Sequence, residues 1–166
     1  MDQTRPAAPA ESSTPCAERN CRVATVILVD AQGRLLLQER DEHAPVAPEQ
    51  WGLVGGHVED GEEWEEALHR ELAEETGLRD LDGLELWFDE LVQHSPKKSM
   101  HLADQWRIWV AAVDLDDDDI VLGEGRQIVF VDPERVTDGS LDLSPACRTL
   151  LPQFLASDVY ARLSRR

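Results

Sequence analysis

Residues 62–76 constrain the fold of this chain more than any other stretch. Trp64, Leu68 and Leu72 recur there every four residues, the spacing of a helix that buries one face. Gly77 follows where a left-handed residue would stop such a helix. The preceding chain reads differently. Residues 22–30 are a β-branched run, Ala31-Gln32-Gly33 is a turn, and residues 34–40 continue as a second strand, so together they predict a hairpin. Pro45 and Pro48 mark a loop before Trp51-Gly52-Leu53-Val54-Gly55-Gly56, which is too short and glycine-rich for a helix. Later come strand candidates at 84–93 and 102–113, joined by a turn at 94–98, and a short strand at 127–131 ended by Asp132-Pro133. Ser144-Pro145 reads as an N-cap with proline at the first helical position. It opens a helical tail that Pro152 is expected to break. Strands before, between and after helices predict an α/β chain, with a mixed central sheet sandwiched between helices.

The charge limits what such a chain can bind. Of 166 residues, 34 are acidic and 16 basic, a formal charge of −18. That excess repels phosphate backbones and anionic lipid, which argues against a general nucleic-acid or membrane-surface binder. An acidic protein that handles phosphates needs a metal cation to reverse the local sign. A hydrophobic content of 42% excludes disorder throughout. Residues 1–20, rich in Pro, Ala, Ser and Thr, are expected to be a flexible tail, and residues 21–166 one domain. The tail holds no apolar run of a signal peptide, and no stretch approaches the ~20 apolar residues that span a bilayer. The expected location is cytoplasmic. Cys16, Cys21 and Cys147 support neither a disulfide framework nor a zinc site, and free thiols are expected over a Cys16–Cys21 clip.

On the helix, at about 100° per residue, Glu71, Glu74 and Glu75 fall within an arc of about 100°. They border the stripe of Trp64, Ala67 and Leu68. Like charges at these spacings destabilise an isolated helix by ~0.2–0.5 kcal/mol per pair. A cation among them would turn that cost into affinity, and oxygen ligands suit Mg²⁺ or Mn²⁺. Helical geometry alone leaves a solvated acidic face and a cation site equally open. Glu63, Glu65 and Glu66 point elsewhere and read as solvated.

Gly56, five residues, Glu62, seven residues, then Arg70-Glu71-Leu72-Ala73-Glu74-Glu75-Thr76-Gly77-Leu78 resembles the Nudix box at all nine specified positions across 23 residues. The resemblance extends over about residues 22–156. It departs at Val54, where many members have proline. It implies a Nudix fold and Mg²⁺- or Mn²⁺-dependent hydrolysis of a nucleoside diphosphate linked to another group. By resemblance, Glu71, Glu74 and Glu75 bind metal with the carbonyl of Gly55, and Glu71 is the general base. Arg70 and Glu62 orient the carboxylates, with Gly56 and Gly77 supporting the motif. Arg40, ending the run Leu-Leu-Leu-Gln-Glu-Arg, matches a phosphate-contacting arginine of MutT-like members, and Glu124-Gly125 matches a pair that adds a metal ligand. These two matches favour a nucleoside triphosphate, cleaved to monophosphate and pyrophosphate, over ADP-ribose or a nucleotide sugar. A nucleotide-sensing module without catalysis is disfavoured by the whole box. Homodimers are common in the family.

Other residues admit blander readings. Trp51, in the loop beside the box, is a candidate for stacking a nucleobase, whereas Trp87, Trp106 and Trp109 read as core. Arg107 and Arg126 are candidate phosphate contacts and His57 a candidate substrate contact. Residues 114–119 resemble a calcium loop only in part, with Asp119 at the glycine position and Gly125 at the final one, so a solvated acidic loop is expected.

Overall fold

A computed structural model of the chain describes residues 21–93 and 103–165. Among them seven strands form one mixed sheet. Strand β1 (Arg22–Val29) is buried at every position after Arg22, so its apolar run needs partners on both edges and cover on both faces. Along one edge, β6 (Ala103–Ala112) runs parallel from Arg22 opposite Gln105 to Val29 opposite Ala112. The other edge is shared. Strand β4 (Val54–His57) pairs antiparallel with residues 23–26 of β1, and β2 (Leu35–Glu39) meets it only where Val29 faces Leu35.

The predicted hairpin therefore exists only at its mouth. Beyond it β2 diverges to pair antiparallel with β3 (Trp51–Gly52) and β7 (Gln127–Val131). Gly55 is what admits β4 to the vacated edge: its φ is +127°, and a Cβ there would lie 2.2 Å from the carbonyl oxygen of Ala24. Strand β5 (Glu85–Gln93) is antiparallel to β6 at the edge, with an irregularity at Trp87.

Alternation along the strands divides the core. Ala24, Val26 and Leu28 point to helix α1 (Trp64–Thr76) and pack with its Ala67, Leu68 and Leu72. Ile27, Val29, Leu35 and Leu37 point the other way, onto Leu150, Leu151 and Phe154 of α3 (Pro145–Leu155), with Leu163 of α4 (Asp158–Leu163) beside them. A short α2 (Pro133–Thr137), not anticipated from the sequence, adds Val136 to this second layer. The arrangement is the expected α/β/α sandwich.

Several expectations need correction. Helix α1 starts at Trp64 and not at Glu62, because Glu63 is the N-cap and its N–H is bonded to Glu66 Oε2 at 3.0 Å. Pro152 does not break α3. Its missing N–H falls on an exposed face of the last turn while Leu151 and Phe154 are held in the core, and the chain turns only at Ala156. The aspartates of residues 114–119 are exposed, as expected of a solvated loop, but Asp117–Asp119 form one turn of 3-10 helix, and Asp117 Oδ1 accepts the Phe130 N–H of β7 at 2.7 Å. Cys21 is disulfide-bonded, against the expectation of free thiols, and its partner lies outside the described residues; Cys147 is free and buried. Pairing depends on Cα approach, which residue type does not reveal. The tail at 1–20 and the turn at 94–98 lie outside the described residues. No helix among the described residues is long and apolar enough to cross a membrane.

Candidate functional site

Helix α1 turns two carboxylates into the protein, Glu75 the more deeply. Glu75 is 5% exposed, in line with the apolar residues that seat the helix on the sheet. Its Oε2 accepts the Gly55 N–H of β4 at 2.8 Å, and its Oε1 accepts from Gln38 Nε2 of β2 at 3.3 Å. Burial pushes the Glu75 carboxyl up to about 7; the Gly55 N–H opposes this, and the neighbouring charges of Glu71 and Glu124 add to it.

Glu71 stands one turn earlier and is also shielded, its side chain 15% exposed. Burial raises its carboxyl, Arg70 opposes the rise, and Glu74 and Glu124 reinforce it. Arg70 is the clasp of this region. Its Nε and Nη2 donate to the two oxygens of Glu62 at 2.9 and 3.1 Å, and Nη2 also reaches the His57 carbonyl at 3.0 Å. Its Nη1 donates to Glu71 at 2.7 Å and Glu74 at 3.3 Å. Bidentate hold on Glu62 depresses that carboxyl and ties the loop before α1 to the helix. Glu74 is 61% exposed, so the structure divides the three glutamates of the predicted arc, with Glu71 and Glu75 inward and Glu74 outward.

Two glycines keep this ground open. A Cβ on Gly56 would stand 2.7 Å from the Glu71 carboxylate. Gly77, at φ +72°, ends α1 with its N–H on the Ala73 carbonyl. The next carbonyls of the last turn are taken by a loop from across the sequence. Val121 N–H bonds to Thr76 O at 2.9 Å, and Gly123 N–H to Glu75 O at 2.8 Å. That docking delivers Glu124 beside the helix, and Gln38 Nε2 donates to the Glu124 carbonyl at 3.2 Å.

The remaining candidates are more dispersed. Arg40 follows β2; its Nη1 donates to Val46 O at 3.0 Å, and its Nε is buried without a partner. Trp51 is 8% exposed and packs in the core on the face opposite α1. Arg107 is held by Asp89 at 3.0 Å and lies over the Trp64 ring, while Arg126 is engaged by Glu39, Glu42 and Glu49. Gln38 and Gly123 escaped the sequence reading. The signal for Gln38 was present: it is the one polar residue at an inward-alternating position of Leu35–Glu39, and it is 3% exposed.

Among the described residues, no group of three His, Cys, Asp or Glu side chains stands close enough, as placed, to hold an ion. In kind, however, the donors fit a hard divalent cation. Glu71, Glu75, Glu124 and the Gly55 carbonyl offer oxygen only. Glu75 is a buried carboxylate held by two neutral N–H donors, and a cation would relieve the repulsion that Glu71 and Glu124 impose on it.

A family model described as "NUDIX domain" matches residues 19–154. An RNA pyrophosphohydrolase of Caulobacter vibrioides is 37% identical over 93 residues, covering 52% of this chain and 53% of that protein. Nucleoside triphosphatase NudI of Escherichia coli O139:H28 is 48% identical over 50 residues, 30% of this chain and 36% of NudI. The chain thus spans about half the length or less of these relatives. The crystal structure of a MutT protein from Methanosarcina mazei Go1 superposes with a TM-score of 0.61 at 19% identity, covering 88% of this chain and 94% of that one. This last likeness is one of fold.

Proposed function

The chain belongs to the NUDIX domain family, and from that premise we propose that it is a metal-dependent hydrolase of nucleoside diphosphates linked to a further group. The first substrate class is a nucleoside triphosphate, cleaved to the monophosphate and pyrophosphate. The observation that carries this reading is Glu75. It is a carboxylate buried at the contact of α1, β2 and β4, its carboxyl pushed up to about 7 first by burial and further by the charges of Glu71 and Glu124. A fold gains nothing in stability from such an arrangement, and strongly perturbed carboxyls of this kind mark functional sites. The name of NudI supports the triphosphate class for this chain.

Glu71, Glu75, Glu124 and the Gly55 carbonyl would hold Mg²⁺ or Mn²⁺. When bound, that ion supplies charge neutralisation on phosphate oxygens and lowers the pKa of water. The chain's own groups do the rest. Gly55 N–H and Gln38 fix the rotamer of Glu75, leaving further lone pairs on both oxygens. Glu71 takes the proton from the attacking water, and Arg70 fixes its orientation. Arg40 brings to the substrate phosphates a guanidinium whose buried Nε has no protein partner.

The test is phosphate or pyrophosphate release with Mg²⁺ or Mn²⁺ across normal and damaged triphosphates, ADP-ribose, nucleotide sugars and a 5′-triphosphorylated oligoribonucleotide. The last is included because of the Caulobacter relative's name. Triphosphates are expected to turn over fastest and chelation to abolish turnover. Background release throughout would sink the enzymatic reading in favour of a nucleotide-sensing module. Glu75→Gln should cost more than the ~10–100-fold that follows loss of a ligand's supporting partner, and full activity in that variant would remove Glu75 from the site.

A further inference from the structure

We propose that Gln38 is a positioning residue that holds Glu75 and the loop carrying Glu124 in register for a divalent cation. This rests on the metal-dependent reading above. Gln38 lies on β2, at an inward position between Leu36 and the strand end, and is 3% exposed. An amide in an otherwise apolar row is costly unless both of its hydrogens find acceptors. Here one nitrogen serves two elements. Nε2 donates to Glu75 Oε1 on α1 at 3.3 Å and to the Glu124 carbonyl at 3.2 Å.

The loop itself is pinned on both sides of that carbonyl. Gly123 N–H bonds to Glu75 O at 2.8 Å, and Arg126 N–H bonds to Glu39 O at 2.8 Å. Gly125, at φ +84°, brings the backbone so close that a Cβ would lie 2.9 Å from Glu39 O and 3.3 Å from Gln38 Nε2. Backbone bonds therefore hold the loop to the helix and to the strand separately. Gln38 is the side chain that joins the Glu75 carboxylate to the backbone of Glu124. Gln38 touches no substrate in this reading; it acts through the two groups it holds.

The experiment is Mn²⁺ titration of the metal-free full chain, with free Mn²⁺ read by electron paramagnetic resonance. Gln38→Met keeps the volume and removes the donors; the dissociation constant is expected to rise about tenfold or more, as when a metal ligand loses its supporting partner. Gln38→Asn, which retains the amide but withdraws it by one methylene, should weaken binding in the same direction and guards against misfolding of the first variant. In a Glu124→Gln background, Gln38→Met should cost much less than in the wild type, because paired groups give non-additive losses. Unchanged Mn²⁺ affinity in both folded variants, or equal losses with and without Glu124, would overturn the proposal alone. A wild-type chain that binds no Mn²⁺ would overturn it together with the metal-dependent reading.

Discussion

Glu75 carries a folding cost that pH can reveal. Its carboxyl has an ordinary value of 4.5 and is held at about 7 in the folded chain, first by burial. The folded state therefore holds this proton more tightly than the unfolded state. The stability it contributes is full below about 4.5 and is lost as pH rises through about 7. Without metal, thermal unfolding should show the wild type losing stability over that window and Glu75→Gln losing less. At pH 8 the variant should then be the more stable protein, by an amount on the order of 1–3 kcal/mol; no difference in pH dependence would count against the burial argument. Arg70→Lys keeps the charge but cannot serve Glu62, Glu71, Glu74 and the His57 carbonyl together. It should cost about 1–3 kcal/mol in urea denaturation and lower kcat more than it changes KM. At this scale the sequence was informative about spacing and silent about depth. A 3.6-residue period put Glu71, Glu74 and Glu75 in one arc, but Glu75 is drawn inward by Gly55 and Gln38, which sit on strands β4 and β2 whose pairing the helix period does not reveal. Arg70 holds Glu71 and Glu74 from within the helix.

Among the elements, the contact between α1 and the 121–126 loop sets the site. A Cβ on Gly123 would stand 1.8 Å from the Glu74 carbonyl oxygen, and the obstacle is backbone, which cannot swing aside. Gly123→Ala should thus lift the loop from the helix end, at a cost of about 1–3 kcal/mol as in other overpacked positions. It should reduce Mn²⁺ affinity through displacement of Glu124; a variant with wild-type unfolding midpoint and affinity would show that the loop is not pinned there. The helix and most strands were legible because their residues repeat at 3.6 or 2. Residues 51–57 were not, since two short strands separated by Leu53 leave too few residues to show a period. The reading of Pro152 failed for a different reason. Proline's effect depends on which carbonyl loses its partner, and in α3 the loss falls on an exposed face beside Leu151 and Phe154, which hold the helix in place.

For the molecule as a whole, the −18 charge acts as a uniform pressure outward. Self-repulsion of this kind is screened within a Debye length of about 8 Å at 0.15 M salt. Melting of the metal-free chain should accordingly shift upward when NaCl is raised from about 0.01 to 0.15 M, and an unchanged midpoint would mean that local pairs such as Arg70 with Glu62 already neutralise the repulsion. The three-layer architecture followed from the order of strand and helix patterns. Its topology did not, because an apolar strand advertises that it is buried but not which strand lies beside it. The parallel pairing of β1 with β6 is the main case. It also bears on how the chain is made. During synthesis β1 emerges before the strand that closes its longer edge, which follows only after the box helix and β5. Through that interval an apolar strand offers open backbone groups to any other nascent chain. A fragment ending before residue 103 should accordingly aggregate on release from the ribosome, whereas the full chain diluted from denaturant should fold as a single cooperative unit. The order in which the ribosome delivers the strands makes the protein most vulnerable when its site helix is already in place.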